Sequence, residues 1–62
     1  MNETENFIME CYLADYQGGK TSQEIADDLR DNWTFTQNQI SLCMKSNGYK
    51  LRSEDGRLTW YK

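Results

Sequence analysis

Histidine and proline are both missing from this 62-residue chain, and cysteine occurs only twice. Without histidine, nothing can join Cys11 and Cys43 to complete a zinc set, and the two lack the C-x-x-C spacing of a metal knuckle. Two thiols form one disulfide at most, which excludes a disulfide-stapled scaffold. Both cysteines fall in apolar-patterned stretches, so they read as small core hydrophobes of a cytoplasmic protein in a reducing compartment. No run approaches the roughly 20 apolar residues that a bilayer requires, and no membrane partner is expected. The opening Met1-Asn2-Glu3-Thr4-Glu5 is acidic and polar, the opposite of a secretory signal. Catalytic groupings are equally scarce. There is no histidine and no nucleophile beside a base, and Asp27, Asp28 and Asp31 read as a solvated helix face. Gly18-Gly19-Lys20-Thr21 contains Gly-Lys-Thr but lacks the first glycine of a phosphate loop and a strand before it. Neither enzymatic activity nor a cofactor is expected.

Aromatic residues are plentiful: Phe7, Tyr12, Tyr16, Trp33, Phe35, Tyr49, Trp60 and Tyr61. A domain this small buries only about 60% of the surface its unfolded chain exposes, so these rings must supply much of one small core. Trp33 and Trp60 read as core residues. Residues 1–62 form a single domain on this reading.

The net charge of −3 conceals a division. Residues 1–31 carry eight acids and two bases, whereas residues 32–62 carry two acids and five bases, giving −6 and +3. No acid occurs between Asn32 and Ser53. Such asymmetry between halves points to a polyanionic partner for the basic half.

Periodicity predicts a helix over about 3–16, with Thr4, Ile8, Cys11, Tyr12 and Asp15 on its inner face and Gly18-Gly19 as its stop. On that phase Met9 and Leu13 lie outside the main stripe. Thr21-Ser22-Gln23-Glu24 is a capping box that opens a second helix over about 22–31, with Ile25, Ala26 and Leu29 buried. A third helix over about 36–47 follows a short turn. Its cap is either Thr34 with Gln37 or Thr36 with Gln39, and Ile40, Cys43 and Met44 face inward. The last stretch alternates with period two around Asp55-Gly56, a preferred pair for a type I′ hairpin. Strands at about 49–53 and 57–61 then pair Glu54 with Arg57, Ser53 with Leu58, Arg52 with Thr59, Leu51 with Trp60 and Lys50 with Tyr61. Tyr49, Leu51, Leu58 and Trp60 fall on an apolar face. Lys50, Arg52, Arg57, Thr59 and Tyr61 fall on a basic, aromatic one.

Three helices followed by a hairpin make an α+β, mostly α, layout. Gly18-Gly19 before Thr21 to Leu29, then Ile40 to Met44, then Asn47-Gly48-Tyr49 and the Asp55-Gly56 hairpin resemble the winged helix-turn-helix family over nearly the whole chain. The closing hairpin is similar to the wings of small bacterial or phage regulators and of plasmid and phage replication proteins. The resemblance implies a third helix entering the major groove of double-stranded DNA and a wing touching phosphates, in transcription or replication control. Carried over residue by residue, it assigns Gln37, Asn38, Ser41 and Lys45 to base or phosphate contacts. It places Thr34 and Thr36 at a phosphate-holding helix start and Lys50, Arg52 and Arg57 on the backbone through the wing. Sequence-specific binding by so small a module implies a homodimer or a neighbouring domain.

Leu42 breaks the polar pattern at the centre of that face. It fits a thymine methyl contact or, with Met9 and Leu13, a protein-docking patch. The competing expectation is therefore a protein-interaction module on the same fold. An example would be a phage or mobile-element inhibitor that binds a host protein through its acidic or apolar surface.

Overall fold

Each of the three helices begins with a reciprocal cap. The computed structural model describes residues 2–62. Helix α1 spans Glu3–Ala14 and is capped by Asn2, whose side chain accepts from the Glu5 amide at 2.8 Å while Glu5 Oε1 accepts from the Asn2 amide at 3.1 Å. Helix α2, Ser22–Leu29, is capped by Thr21 and Glu24. Helix α3, Gln37–Ser46, is capped by Thr36 and Gln39, which decides between the two registers the sequence allows. Thr34 caps nothing and lies exposed in the loop before α3. Because such caps satisfy amides left orphaned in the first turn, helices of only 8 to 12 residues have defined starts. Among the described residues no helix is long and apolar enough to cross a membrane.

Strands β1, Lys50–Glu54, and β2, Arg57–Tyr61, form an antiparallel hairpin. All five expected cross-strand pairs are present. Asp55 and Gly56 have φ of 51° and 77°, the two positive values a type I′ turn demands. The layout is winged-helix-like: three helices, then a wing.

One pairing had no signature in the sequence. The segment between α1 and α2 lies along the outer side of β2, where the Gly19 amide donates to the Trp60 carbonyl at 3.0 Å and the Trp60 amide donates to the Lys20 carbonyl at 2.9 Å. The two glycines make this approach feasible. The Tyr61 ring lies so close that a Cβ on Gly18 would stand 2.8 Å from Tyr61 Cδ1, and Gly18 has φ of 100°. Gly18-Gly19 therefore does more than end a helix; it seats β2 against the body.

The core comprises Met9, Ile25, Leu29, Phe35, Ile40, Cys43, Met44 and Trp60. Trp33 is half-buried against it, as are Tyr12, Tyr16 and Tyr49. Helix α1 sits in a different rotation from the one periodicity predicts. Glu5 and Met9 face inward, while Cys11 and Asp15 are exposed. The cause is a buried carboxylate: Glu5 Oε2 accepts from Trp33 Nε1 and from Gln39 Nε2, each at 3.2 Å. With those donors the acid is tolerated inside, and Met9, one turn further on, follows it into the core. Met9 is 1% exposed and Leu13 packs against the core, so neither forms a docking patch. Cys11 is likewise not a core residue; Cys43 is, and burial pushes its thiol above the usual cysteine range.

Candidate nucleic-acid interface

The outward side of α3 presents Asn38, Leu42 and Lys45, because Ile40, Cys43 and Met44 fix the opposite side in the core. Leu42 is 64% exposed and lies between the other two. Around this side, the remaining expected contact residues divide into free and engaged groups.

Gln37 is exposed but turned toward α2, where its Nε2 donates to Gln23 Oε1 at 2.6 Å. Ser41 is half-buried, with its Oγ 3.2 Å from Ser22 Oγ. Ser22 Oγ also accepts from Trp60 Nε1 at 2.9 Å, so these two serines and one indole join α2, α3 and β2. Ser41 is thus occupied in packing, and only its outer edge faces solvent. Thr36 spends an acceptor lone pair on its capping bond.

On the wing, Arg57 pairs with Glu24 of the α2 capping box. The Glu24 carboxyl lies below the usual range because it accepts from the Thr21 backbone and faces that guanidinium. Arg57 therefore fastens the wing to the start of α2. Lys50 and Arg52 remain exposed on the wing's basic face. The Arg52 guanidinium lies 4.3 Å from the centroid of the Tyr61 ring, whose hydroxyl donates to Glu54 Oε1 at 2.6 Å. That bond raises the Tyr61 phenol and, with a bond from Thr59, lowers the Glu54 carboxyl. Thr59 departs from the expected exposed face: it is 2% exposed, and its hydroxyl lies within reach of both Glu54 Oε1 and the Arg52 carbonyl.

The wing's apolar face is only partly covered. Trp60 is buried and Tyr49 half-buried, but Leu51 and Leu58 are exposed. These two leucines border an open groove of about 440 Å³ whose other walls are Thr21, Ser22 and Gln23 of the α2 start, Gln37 and Ser41 of α3, and Gly56.

Ion pairing sharpens the charge division read from composition. Among the described residues the ion pairs are Lys20–Asp28, Arg30–Asp27 and Arg57–Glu24. Both bases of the acidic half are thereby neutralised locally. The cations outside any ion pair are Lys45, Lys50, Arg52 and Lys62, all on α3, the wing and the residue following it. Lys62 was not among the expected contacts; its Nζ lies 5.4 Å from the Tyr49 ring centroid. Its only signal in the sequence is membership of the basic half.

No family model, curated protein or solved structure matches this chain.

Proposed function

We propose that this chain is a winged helix-turn-helix protein that binds duplex DNA as a regulator of transcription or replication. Helix α3 would enter the major groove, with Asn38 and Leu42 facing base edges and Lys45 a phosphate at the groove edge. Lys50, Arg52 and Lys62 would neutralise the flanking backbone. The observation that carries this reading is the distribution of unpaired cations. In a chain of net charge −3, the described residues keep four side-chain cations outside ion pairs, all within residues 45–62.

Fluorescence anisotropy with a labelled duplex tests it. Four phosphate contacts give a slope of log K against log salt of about −3.6, which is about a hundredfold loss between 50 and 200 mM. Lys45→Ala and Arg52→Ala should each flatten that slope by about 0.9. Arg30→Ala should leave it unchanged, because Arg30 is paired with Asp27 in the acidic half. Absence of binding at low salt refutes the proposal, as does a slope indifferent to Lys45 and Arg52.

A protein partner on the same face is the second reading, and the exposure of Leu42, Leu51 and Leu58 favours it. It requires that Leu42→Asp abolish partner binding while duplex DNA fails to bind at any salt concentration.

A further inference from the structure

A second surface shares no lining residue with the groove beside the wing. Helices α1 and α2 and the turn after α2 flank a depression of about 480 Å³ lined by Phe7, Ile8, Cys11, Tyr12, Asp28, Leu29 and Asn32. Phe7 stands at its edge, 65% exposed, and takes no part in the core. An exposed phenylalanine beside half-buried Ile8 and Tyr12 is an apolar surface that the fold itself does not use.

Charge selects the occupant. Asp28 lies in the lining, Asp31 adjoins Asn32, and Asp15 follows Cys11 by one helical turn on the same side. Both nearby bases are already spoken for: Lys20 by Asp28, and Arg30 by Asp27. With Asp28 and Asp27 paired in this way, Glu3, Glu10, Asp15 and Asp31 are exposed acids of the same half in none of these ion pairs, so the surface around the groove is net acidic. A second copy docking by two-fold symmetry would bring these acids against themselves, and nucleic acid would be repelled outright. A helix of 12 residues is about 18 Å long, room for about three turns of a peptide helix laid beside it.

We infer that the α1–α2 groove docks a basic amphipathic helix of another protein, with its apolar residues against Phe7, Ile8 and Tyr12 and its lysines or arginines toward Asp15 and Asp31. Apolar anchors at i, i+3, i+4 and i+7 match this mode of recognition. The acidic rim would steer the encounter and reject acidic helices. The site is independent of α3 and the wing, so a DNA-bound chain could hold its partner at the same time.

The experiment uses a labelled amphipathic peptide of leucine and lysine with leucines at those spacings, and a leucine–glutamate counterpart. The lysine peptide should bind saturably at one site per chain, while the glutamate peptide should not bind. Phe7→Ala should weaken binding by about tenfold, and Asp31→Lys should weaken it in a salt-dependent way. Lys45→Ala should leave it unchanged. Cys11 supplies a readout specific to the place, since it lines the groove and is exposed whereas Cys43 is buried. Saturating lysine peptide should slow alkylation of Cys11 by iodoacetamide, and duplex DNA should not. The inference is overturned by equal binding of the two peptides, by affinity that ignores Phe7, by unprotected Cys11, or by a Phe7-dependent dimer in sedimentation. Circular dichroism checks that Phe7→Ala remains folded. None of these outcomes depends on whether DNA binds.

Discussion

Glu5 offers the sharpest test of how this small core is held. It is 8% exposed, and both of its carboxylate oxygens are engaged: Oε1 accepts from the Asn2 amide, Oε2 from Trp33 Nε1 and Gln39 Nε2. Only a carboxylate can accept on both sides. In Glu5→Gln one oxygen becomes an amide NH₂, which must face either the Asn2 N–H or the two side-chain donors. At least one donor then loses its partner. Hydrogen bonds to charged groups are worth about 1.5–3 kcal/mol, and the expected loss for Glu5→Gln is in that range. Glu5→Ala also removes the Glu5 half of the capping box, worth up to about 1 kcal/mol, and brings the total to about 2.5–4 kcal/mol. At 0.05–0.15 kcal/mol per residue the whole domain has roughly 3–9 kcal/mol, so Glu5→Ala should remove a large share of its stability. Glu5→Gln should remain measurable. Urea unfolding followed by circular dichroism, with a slope of about 1 kcal/mol/M, should show its midpoint lowered by about 1.5–3 M. A double-mutant cycle with Trp33→Phe, which removes the indole N–H, should give coupling of about 0.5 kcal/mol or more. A Glu5→Gln midpoint within about 0.5 M of the parent refutes the reasoning, because an uncoupled surface acid would give that result.

Two further predictions concern the seating of β2 and the acidic limb of stability. Gly18→Ala places a Cβ 2.8 Å from Tyr61 Cδ1 at a φ of 100°, so it should destabilise by about 1–3 kcal/mol in the same urea assay; adding Tyr61→Ala should recover the clash but not the backbone strain. Glu24, Asp28 and Glu54 all have carboxyls below their ordinary values of 4.5, 3.8 and 4.5. Lowered folded-state values mean that the unfolded chain binds protons more readily, so their contribution is intact above about pH 5 and is lost as pH falls through and below 4. Thermal melts should show a falling midpoint over that window, and Lys20→Met, which removes the main cause of the Asp28 shift, should make the fall shallower.

The elements most legible in the sequence were those set by local chemistry. Thr21 with Glu24 announces the start of α2, and Asp55-Gly56 between alternating strands fixes a hairpin register down to the residue. Interactions over long separations were not legible. The rotation of α1 depends on donors 28 and 34 residues away from Glu5, and hydrophobic periodicity counts a glutamate as an outward residue whatever its partners. The same blindness promoted Cys11 to the core and displaced Met9 from it. Alternation also tells which side chains share a face of the hairpin, but not how far the helices reach beneath it. Leu51 and Leu58 are on the expected face and yet exposed, bordering an open groove beside α2 and α3. The pairing of Gly19 and Lys20 with Trp60 is made by backbone atoms, and its one trace in residue type, Gly18-Gly19, reads equally well as a helix stop.

For the candidate interface, the difference between a base that holds the fold and one left for a ligand is also a long-range property. Arg52 and Arg57 look equivalent in the sequence, five residues apart on the same face of the hairpin. Glu24 lies 33 residues before Arg57 and claims it, and nothing acidic in an ion pair claims Arg52, which rests on the Tyr61 ring instead. The pair is exposed, so its direct contribution to stability is small. Its geometric consequence is larger: it ties the wing tip to the first turn of α2, while the Ser22–Trp60 bond ties the wing base to the same turn. Two attachments at opposite ends of β2 leave a rigid strand little freedom to swing. Lys50 and Arg52 lie on the strand paired with β2, so the wing backbone that carries them is held against the body. Arg57 matters to binding on this view without touching the ligand.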